Sequence, residues 1–165
     1  MDVDIFKKRR SIREYSDDPI SKETLEQIID AARYAPTARG LEPWEFVVIT
    51  DIDTLKEIAH FTDHGKFISD AKACIAVFCQ DTKYYLEDGS AATTNILNAS
   101  AMLGVGSCWV AGDKKDYCGK VAELLAVPKS YKLISLIPLG YPRSANELTP
   151  KNKRTLKEIT HWEKY

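Results

Sequence analysis

Two short apolar segments constrain the fold of this chain more than any other feature of its sequence. The first, Ala73 to Cys79, is continuously apolar, a pattern typical of a strand that is covered on both faces. The second, Leu133 to Leu139, predicts a strand over Tyr131 to Leu139 that closes in a turn. Both segments are far shorter than the roughly 20 residues that a membrane-spanning helix needs, so the sequence predicts no membrane partner.

Helical patterns alternate with these strands. Leu25, Ile28, Ile29 and Ala32 recur at helical spacing behind Ser21, a residue that can cap a helix, and the pattern ends before a proline. The other predicted elements are a strand over Phe46 to Thr50, a helix capped by Asp53, a long helix from Asp88 or Ser90 to Leu103, and a short helix over Asp116 to Leu125. The alternation predicts an α+β fold with helices around a mostly antiparallel or mixed sheet. A length of 165 residues is typical of a single domain, here 1–165.

The long helix is unusually rich in small residues. They are Ala91, Ala92, Thr93, Thr94, Ala99, Ser100 and Ala101. A helix with small side chains around most of its circumference can be packed tightly on several sides. We therefore expect a central helix, or one that crosses a dimer partner.

The charges of the chain almost balance, with 23 Lys plus Arg against 24 Asp plus Glu. No global field therefore draws it to nucleic acid or to an anionic membrane. The N-terminus lacks the continuous apolar region of a secretory signal. The four cysteines show no C-x-x-C spacing and are predicted to be reduced, buried thiols. Together these features predict a cytoplasmic protein.

A basic tract near the N-terminus contains Arg9, Arg10, Ser11 and Arg13. Guanidinium groups offer planar, bidentate donors of the kind that clamp a phosphate. Apolar neighbours such as Ile12 indicate that the tract is anchored to a core, whereas a solvated basic arm would lack such partners. Two other interpretations stay open. The tract could be a surface turn whose arginines pair with nearby acids, or a nucleic-acid-binding module with salt-sensitive binding.

Three further stretches are candidates for a ligand site. The loop from Ala35 to Trp44 has prolines and small residues, so its backbone can approach a flat ligand; an ordinary helix-to-strand connection is the other interpretation. The segment Gly104 to Gly112 begins like a dinucleotide fingerprint, but it follows a helix where a Rossmann turn must follow a strand. We interpret it as a tight turn whose glycine-flanked backbone can come close to a ligand.

His60 and His64 have the spacing of a metal pair, yet the H-E-x-x-H zinc helix would need Glu where Phe61 stands, so no metal site is predicted.

Several short motifs occur in a fixed order along nearly the whole chain. They are Arg-Arg-Ser-Ile-Arg, Ala-Pro-Thr-Ala followed by Glu-Pro-Trp, the small-residue helix, Gly-Val-Gly-Ser-Cys-Trp, Leu-Gly-Tyr-Pro and Lys-Arg-Thr-Leu. Any one of them is weak, but as an ordered set they resemble the nitroreductase-like family of FMN-dependent oxidoreductases. The resemblance implies a three-layer α+β fold with a central sheet flanked by helices. It also implies an interwoven homodimer with two FMN sites, each built from both subunits.

The resemblance assigns the FMN phosphate to basic residues at both ends of the chain. Those implied to hold the phosphate and the ribityl chain are Arg9, Arg10, Ser11, Lys153 and Arg154. A flavin phosphate brings close to two negative charges, which explains two separated basic clusters in a chain without net positive charge. The second cluster also includes Lys151.

The resemblance assigns the flavin ring to three other places. Arg13 is implied to lie near the N1 and O2 edge. Residues implied to reach the ring and ribityl region from the other subunit are Pro36, Thr37, Ala38 and Gly40. Residues implied to cover one ring face are Trp109, Val110, Ala111 and Gly112, with the backbone N–H of Ala111 directed at N5. The chain departs from the family at Gly40, where Asn or Ser is frequent, and at Glu42, where Gln is frequent.

The implied activity is hydride transfer from NADH or NADPH, through flavin N5, to an electron-poor small molecule such as a nitroaromatic or a quinone. Such a ping-pong cycle requires no protein nucleophile, and the sequence contains no convincing one. Two alternatives remain open within the flavin-binding class. One is a non-catalytic protein that stores or senses FMN, and the other is a relative that dehalogenates its substrate or fragments flavin.

Overall fold

The computed structural model describes residues 5–144 and 152–165, and both apolar segments form strands at the centre of its sheet. The strands are β1 (Trp44–Ile49), β2 (Ala73–Gln80), β3 (Gly106–Ser107), β4 (Val110–Ala111) and β5 (Tyr131–Gly140). The order across the sheet is β1-β2-β5-β3, and β4 pairs with another part of β5. All these pairs are antiparallel, and a parallel bridge between Ser11 and Ser107 makes the sheet mixed at its edge.

Helices cover the two faces of the sheet. They are α1 (Ile5–Lys8), α2 (Lys22–Ala32), α3 (Ile52–Phe61), α4 (Tyr85–Met102), α5 (Cys118–Leu124) and α6 (Leu156–Ile159), with short 3-10 turns at Ala38–Gly40 and Lys66–Asp70. Side chains of α2 and α4 pack with Ile75 and Val77 on one face, whereas α3 and α5 pack with Cys74, Ala76 and Phe78 on the other. Because successive strand residues point to opposite faces, the continuously apolar β2 fills both cores. The predicted three-layer α+β arrangement is confirmed.

Helix α2 forms as its sequence pattern predicts. Ser21 caps it by accepting a hydrogen bond from the backbone N–H of Thr24, and Leu25, Ile28 and Ala32 are buried. A buried apolar stripe and a satisfied first turn are the two features that stabilise a surface helix.

The predicted starts of two other helices are wrong. Asp51, not Asp53, caps α3, because its carboxylate accepts the backbone N–H of Thr54 at 2.8 Å. Asp88 and Ser90 do not begin α4, which starts at Tyr85. The carboxylate of Asp88 points into the protein. It accepts hydrogen bonds from Thr37 and Ala38 instead of from the N–H groups of its own helix.

Smaller differences concern the ends of elements. Strand β1 begins at Trp44 and ends at Ile49, and α5 begins at Cys118, after Asp116. The pairing of β2 with β5 shifts register between Val77 and Phe78, so one additional residue of β5, Ile134, lies in a bulge. Within the described residues, no helix is both long enough and apolar enough to cross a membrane.

Candidate functional site

A cleft of about 170 Å³ lies beside β4, at the edge of the sheet. Its lining residues are Arg13, Asp63, His64, Phe67, Cys108, Trp109, Val110, Ala111, Lys115 and Tyr117. Four of the predicted flavin-ring residues, Arg13 and Trp109 to Ala111, are therefore brought together here. Aromatic and aliphatic groups form its walls, while charged side chains stand among them.

The N-terminal basic tract is attached to this edge by backbone pairing. The N–H of Ile12 donates to the carbonyl oxygen of Ser107 at 2.9 Å, next to the bridge between Ser11 and Ser107. Ile12 itself is 2% exposed, so it anchors the tract in the core as the sequence predicts. The neighbouring Ser11 and Arg13 side chains remain exposed, because alternate residues of an extended segment face opposite ways.

The thiol of Cys108, which lines the cleft, is influenced by the side chains of the basic tract. Burial raises the pKa of this thiol, whereas the charge of Arg13, a hydrogen bond from Ser11 and the charge of Arg9 act in the opposite direction. The Arg13 guanidinium also stands over the ring of Phe67, 5.6 Å from the ring centroid. Cationic donors and aromatic surface are thus side by side at this edge.

The N–H and C=O groups of Ala111 both point away from β5. Val110 pairs with Leu136 and Ala111 with Ser135, while the N–H of Gly112 donates to the carbonyl of Ile134 at 3.0 Å. Hydrogen-bonded and non-hydrogen-bonded pairs alternate along an antiparallel ladder, so the N–H and C=O of Ala111 face outward.

A hydroxyl fixes this outward-facing peptide. The Tyr117 hydroxyl donates to the Ala111 carbonyl. Burial raises the pKa of Tyr117 from 10.0 to about 12, so the hydroxyl remains a hydrogen-bond donor even in moderately alkaline solution. The N–H of Ala111 points in the same outward direction as its carbonyl, toward any group that occupies the edge.

The loop that contains Pro36, Thr37, Ala38 and Gly40 does not line this cleft. Its Thr37 and Ala38 are bound instead to the buried carboxylate of Asp88 in the first turn of α4. The cleft of one chain therefore does not contain all the predicted flavin residues.

The described part of the C-terminal basic cluster lies on the surface, next to α6. Lys153 and Arg154 are exposed, and the Arg154 guanidinium donates to the carbonyl of Glu158 at 2.6 Å. Lys151, the third member of this cluster, lies outside the described residues. At the other end, the guanidinium of Arg10 donates to the carbonyl oxygens of Lys7 and Arg9, which holds the tract in a tight local turn.

Several residues of the cleft could not be predicted as members of the site. Phe67, Lys115 and Tyr117 come from connections with no motif of their own, and only their tertiary contacts place them there. Cys108 lies inside the Gly-Val-Gly-Ser-Cys-Trp motif, which was the available signal. His64 lines the cleft, but His60 does not, and no group of three or more metal-ligating side chains occurs in residues 5–144 and 152–165.

The fold and the cleft define a class of three-layer α+β proteins with a basic, aromatic-walled cleft at the sheet edge. Comparison with known sequences makes this more specific. The model of the Nitroreductase family matches residues 6–82 and 80–141. A relative from Archaeoglobus fulgidus with the provisional name NADH dehydrogenase/NAD(P)H nitroreductase is 36% identical, over 95% of this chain and 94% of that protein. The chain belongs to the nitroreductase family.

Two further proteins are similar to this chain. An FMN-dependent nitroreductase from Clostridium difficile R20291 has the same fold, with a TM-score of 0.91, 29% identity, and coverage of 99% of this chain and 100% of that one. An iodotyrosine deiodinase from Nematostella vectensis is 28% identical, over 93% of this chain and 72% of that protein. The family resemblance found in the motifs is thereby confirmed.

Proposed function

We propose that this chain is an FMN-dependent oxidoreductase that transfers hydride from NADH or NADPH to an electron-poor acceptor such as a nitroaromatic or a quinone. The observation that carries the proposal is the pairing of Ile12 with Ser107, which sets the basic tract beside Trp109 to Gly112. Similarity to an FMN-dependent nitroreductase supports the choice of cofactor.

The donor set fits a flavin mononucleotide. Arginine side chains and the Ser11 hydroxyl supply donors for a dianionic phosphate. A wall that includes Trp109, which is 39% exposed, supplies a flat apolar surface for a ring. The outward-facing Ala111 N–H supplies a donor for a ring nitrogen.

Each residue then has a defined task. Arg9, Arg10 and Ser11 would hold the phosphate, and Arg13 would place a fixed positive charge beside the ring, where it would favour the more negative reduced flavin. The Ala111 N–H would donate to a ring nitrogen, and the Tyr117 hydroxyl fixes the carbonyl of the same residue. When bound, FMN supplies the atom that first accepts and then donates the hydride, so donor and acceptor react in turn.

The proposal includes a homodimer. Pro36, Thr37, Ala38 and Gly40 are proposed to reach the flavin of the partner, and Lys153 and Arg154 to complete the phosphate site. Exposed apolar side chains near the C-terminus support association, because Leu156 is 76% exposed and Trp162 is 84% exposed. A cytoplasmic location is also proposed, supported by the four free cysteines.

A second candidate function is reductive dehalogenation of a small aromatic substrate. The observation that favours it is the similarity to iodotyrosine deiodinases, which extends over most of this chain. Both activities would use the same cofactor site, so they differ in the acceptor and not in the residues described above.

The test is an anaerobic titration of the FMN-loaded protein with NADH and with NADPH. We expect the visible flavin absorption to bleach and to return when a nitroaromatic or a quinone is added. Recovery with a halogenated phenol alone, together with halide release, would favour the second candidate. Flavin that binds but is not reduced by either nucleotide would contradict the proposed enzyme and indicate a storage or sensing protein.

A further inference from the structure

The carboxylate of Asp88 is buried near the start of α4, where only 4% of the residue is exposed. A buried carboxylate is costly unless its oxygens accept hydrogen bonds. Both oxygens of Asp88 do so. Oδ2 accepts the Thr37 hydroxyl at 3.1 Å, and Oδ1 accepts the backbone N–H of Ala38 at 2.8 Å.

The hydrogen bonds continue through the loop from Thr37 to Glu42. The backbone N–H of Glu42 donates to the Thr37 hydroxyl oxygen at 3.1 Å, while the same hydroxyl donates to Asp88. A hydroxyl can donate and accept at once, so a single buried carboxylate organises both ends of the loop.

The loop needs such an anchor because its own conformation is unfavourable. Arg39 has φ 61°, Gly40 has φ 66° and Glu42 has φ 47°, which places two residues with side chains in the left-handed region. The same residues are exposed, so packing of their side chains does not hold them there. The Asp88 carboxylate is the buried group to which this exposed turn is bound.

Helix α4 also contacts β5 and the residue that follows Gly112. The Tyr85 hydroxyl donates to Asp113 at 2.9 Å, and the Thr93 and Ser135 hydroxyls are hydrogen-bonded at 2.8 Å, directly beside Ala111 in the sheet register. A β-carbon on Gly89 would stand 2.6 Å from Ile134, so the helix lies close against the bulge of β5. Helix α4 therefore holds the loop from Thr37 to Glu42 at its start and packs against the strand with which Ala111 pairs.

From this geometry we infer that Asp88 is a positioning residue for cofactor binding. Its carboxylate fixes the backbone of Thr37 and Ala38, and so holds the loop in the shape in which it is proposed to reach the flavin of the partner. The inference rests on the proposed function, because the loop matters to binding only if the protein binds FMN.

The test uses the full-length variants Asp88→Asn and Thr37→Val, with Glu87→Gln as the matched control. Glu87 is an exposed acid on the same turn of α4. Within the described residues, no hydrogen bond or ion pair joins its side chain to the loop from Thr37 to Glu42. Asparagine keeps the shape of Asp88 but can accept through only one atom. We expect Asp88→Asn to raise the Kd for FMN about tenfold, since hydrogen bonds to charged groups are the strong ones. Glu87→Gln should bind as the wild type does.

Two further readouts separate positioning from general stability. Limited trypsin digestion should cut after Arg39 several-fold faster in Asp88→Asn than in Glu87→Gln, at a temperature where both are fully folded. The visible absorption band of bound FMN should shift in Asp88→Asn. In the double variant with Thr37→Val, the loss of affinity should be smaller than the product of the two single losses, because both substitutions disturb the same Thr37–Asp88 hydrogen bond.

The outcomes distinguish this inference from the proposed function. If the wild type binds FMN and Asp88→Asn binds it equally tightly with an unchanged spectrum, the role of Asp88 is overturned while the proposed function stands. Faster cleavage after Arg39 with unchanged affinity would also overturn it, because Asp88 would then support only the loop. A wild type that binds no FMN would overturn the proposed function, and the cofactor role of Asp88 with it.

Discussion

Gly106 lies directly against Ile12: a β-carbon on Gly106 would stand only 2.8 Å from the β-carbon of Ile12 and 3.0 Å from the carbonyl oxygen of Gly140. Real β-carbons essentially never come within 3.0 Å of another atom, as this one would with Ile12. The absence of a side chain at position 106 is therefore what lets the N-terminal basic tract lie against the sheet edge. This close approach brings the phosphate-binding candidates to the cleft.

Gly106→Ala should therefore destabilise the protein by about 1–3 kcal/mol, the usual cost of forcing a methyl group into a packed site. It should also weaken FMN binding, because the basic tract is displaced. Urea unfolding and FMN titration measure the two effects. The control is Gly119→Ala in α5, where a β-carbon meets no atom within 4 Å. That substitution should stabilise the helix by about 0.5–1 kcal/mol.

Arg9→Ala should raise the Kd for FMN about tenfold or more, because a guanidinium–phosphate contact is a charge-assisted, bidentate interaction. Arg9→Lys should recover part of the affinity. FMN fluorescence quenching measures both. The matched control is Arg33→Ala, since Arg33 is paired with Asp30 at 2.6 Å on the outer surface of α2. Equal affinities of the Arg9 and Arg33 variants would contradict the phosphate site.

Tyr117→Phe should lower the free energy of unfolding by about 1 kcal/mol, the net value of a typical hydrogen bond. It should also slow flavin reduction by NADH, because the Ala111 peptide loses the hydroxyl that fixes it. Stopped-flow absorbance follows the reduction. Tyr34→Phe serves as the control, because Tyr34 is 70% exposed and does not line the cleft. A reduction rate unchanged in Tyr117→Phe would contradict this role.

The thiol of Cys74 should make the protein sensitive to alkaline pH. Burial raises its pKa from 9.0 to about 12. The folded state then holds this proton more tightly than the unfolded state, so the stabilisation is complete below pH 9 and is lost as the pH rises toward 12. The free energy of unfolding should fall by about 1.4 kcal/mol per pH unit for this one proton.

Urea unfolding of the wild type and of Cys74→Ala from about pH 8 to about pH 11 measures this contribution. The variant should be less stable at neutral pH because it leaves a cavity, but its stability should decline less steeply in alkali. Parallel pH dependences for the two proteins would show that Cys74 ionises in the folded state as easily as in the unfolded one.

Local patterns predicted the central strands and helix α2 because burial on both faces and helical periodicity leave a direct signature in the sequence. Ala73 to Cys79 and the stripe from Leu25 to Ala32 are examples. The residue that caps a helix is harder to predict from the sequence. Asp51 and Asp53 both precede apolar helical positions, and only the actual backbone geometry decides which carboxylate meets the N–H of Thr54.

Only those cleft residues that belong to a sequence motif could be predicted. Arg13 and Trp109 to Ala111 belong to motifs, and the structure brings them together. Phe67 and Tyr117 reach the same place through long-range packing that no local pattern records. Asp88 was interpreted as the start of a helix, because a buried acid that binds a loop 50 residues earlier looks the same in sequence as a capping acid.

The central claim is that the two basic clusters and the sheet-edge cleft bind one flavin mononucleotide, and the visible absorption spectrum of the purified protein tests it most directly. We predict the two-banded spectrum of a bound flavin, and release on denaturation of a compound with the mass of FMN in about one equivalent per chain. A colourless protein that also fails to quench the fluorescence of added FMN would contradict the account.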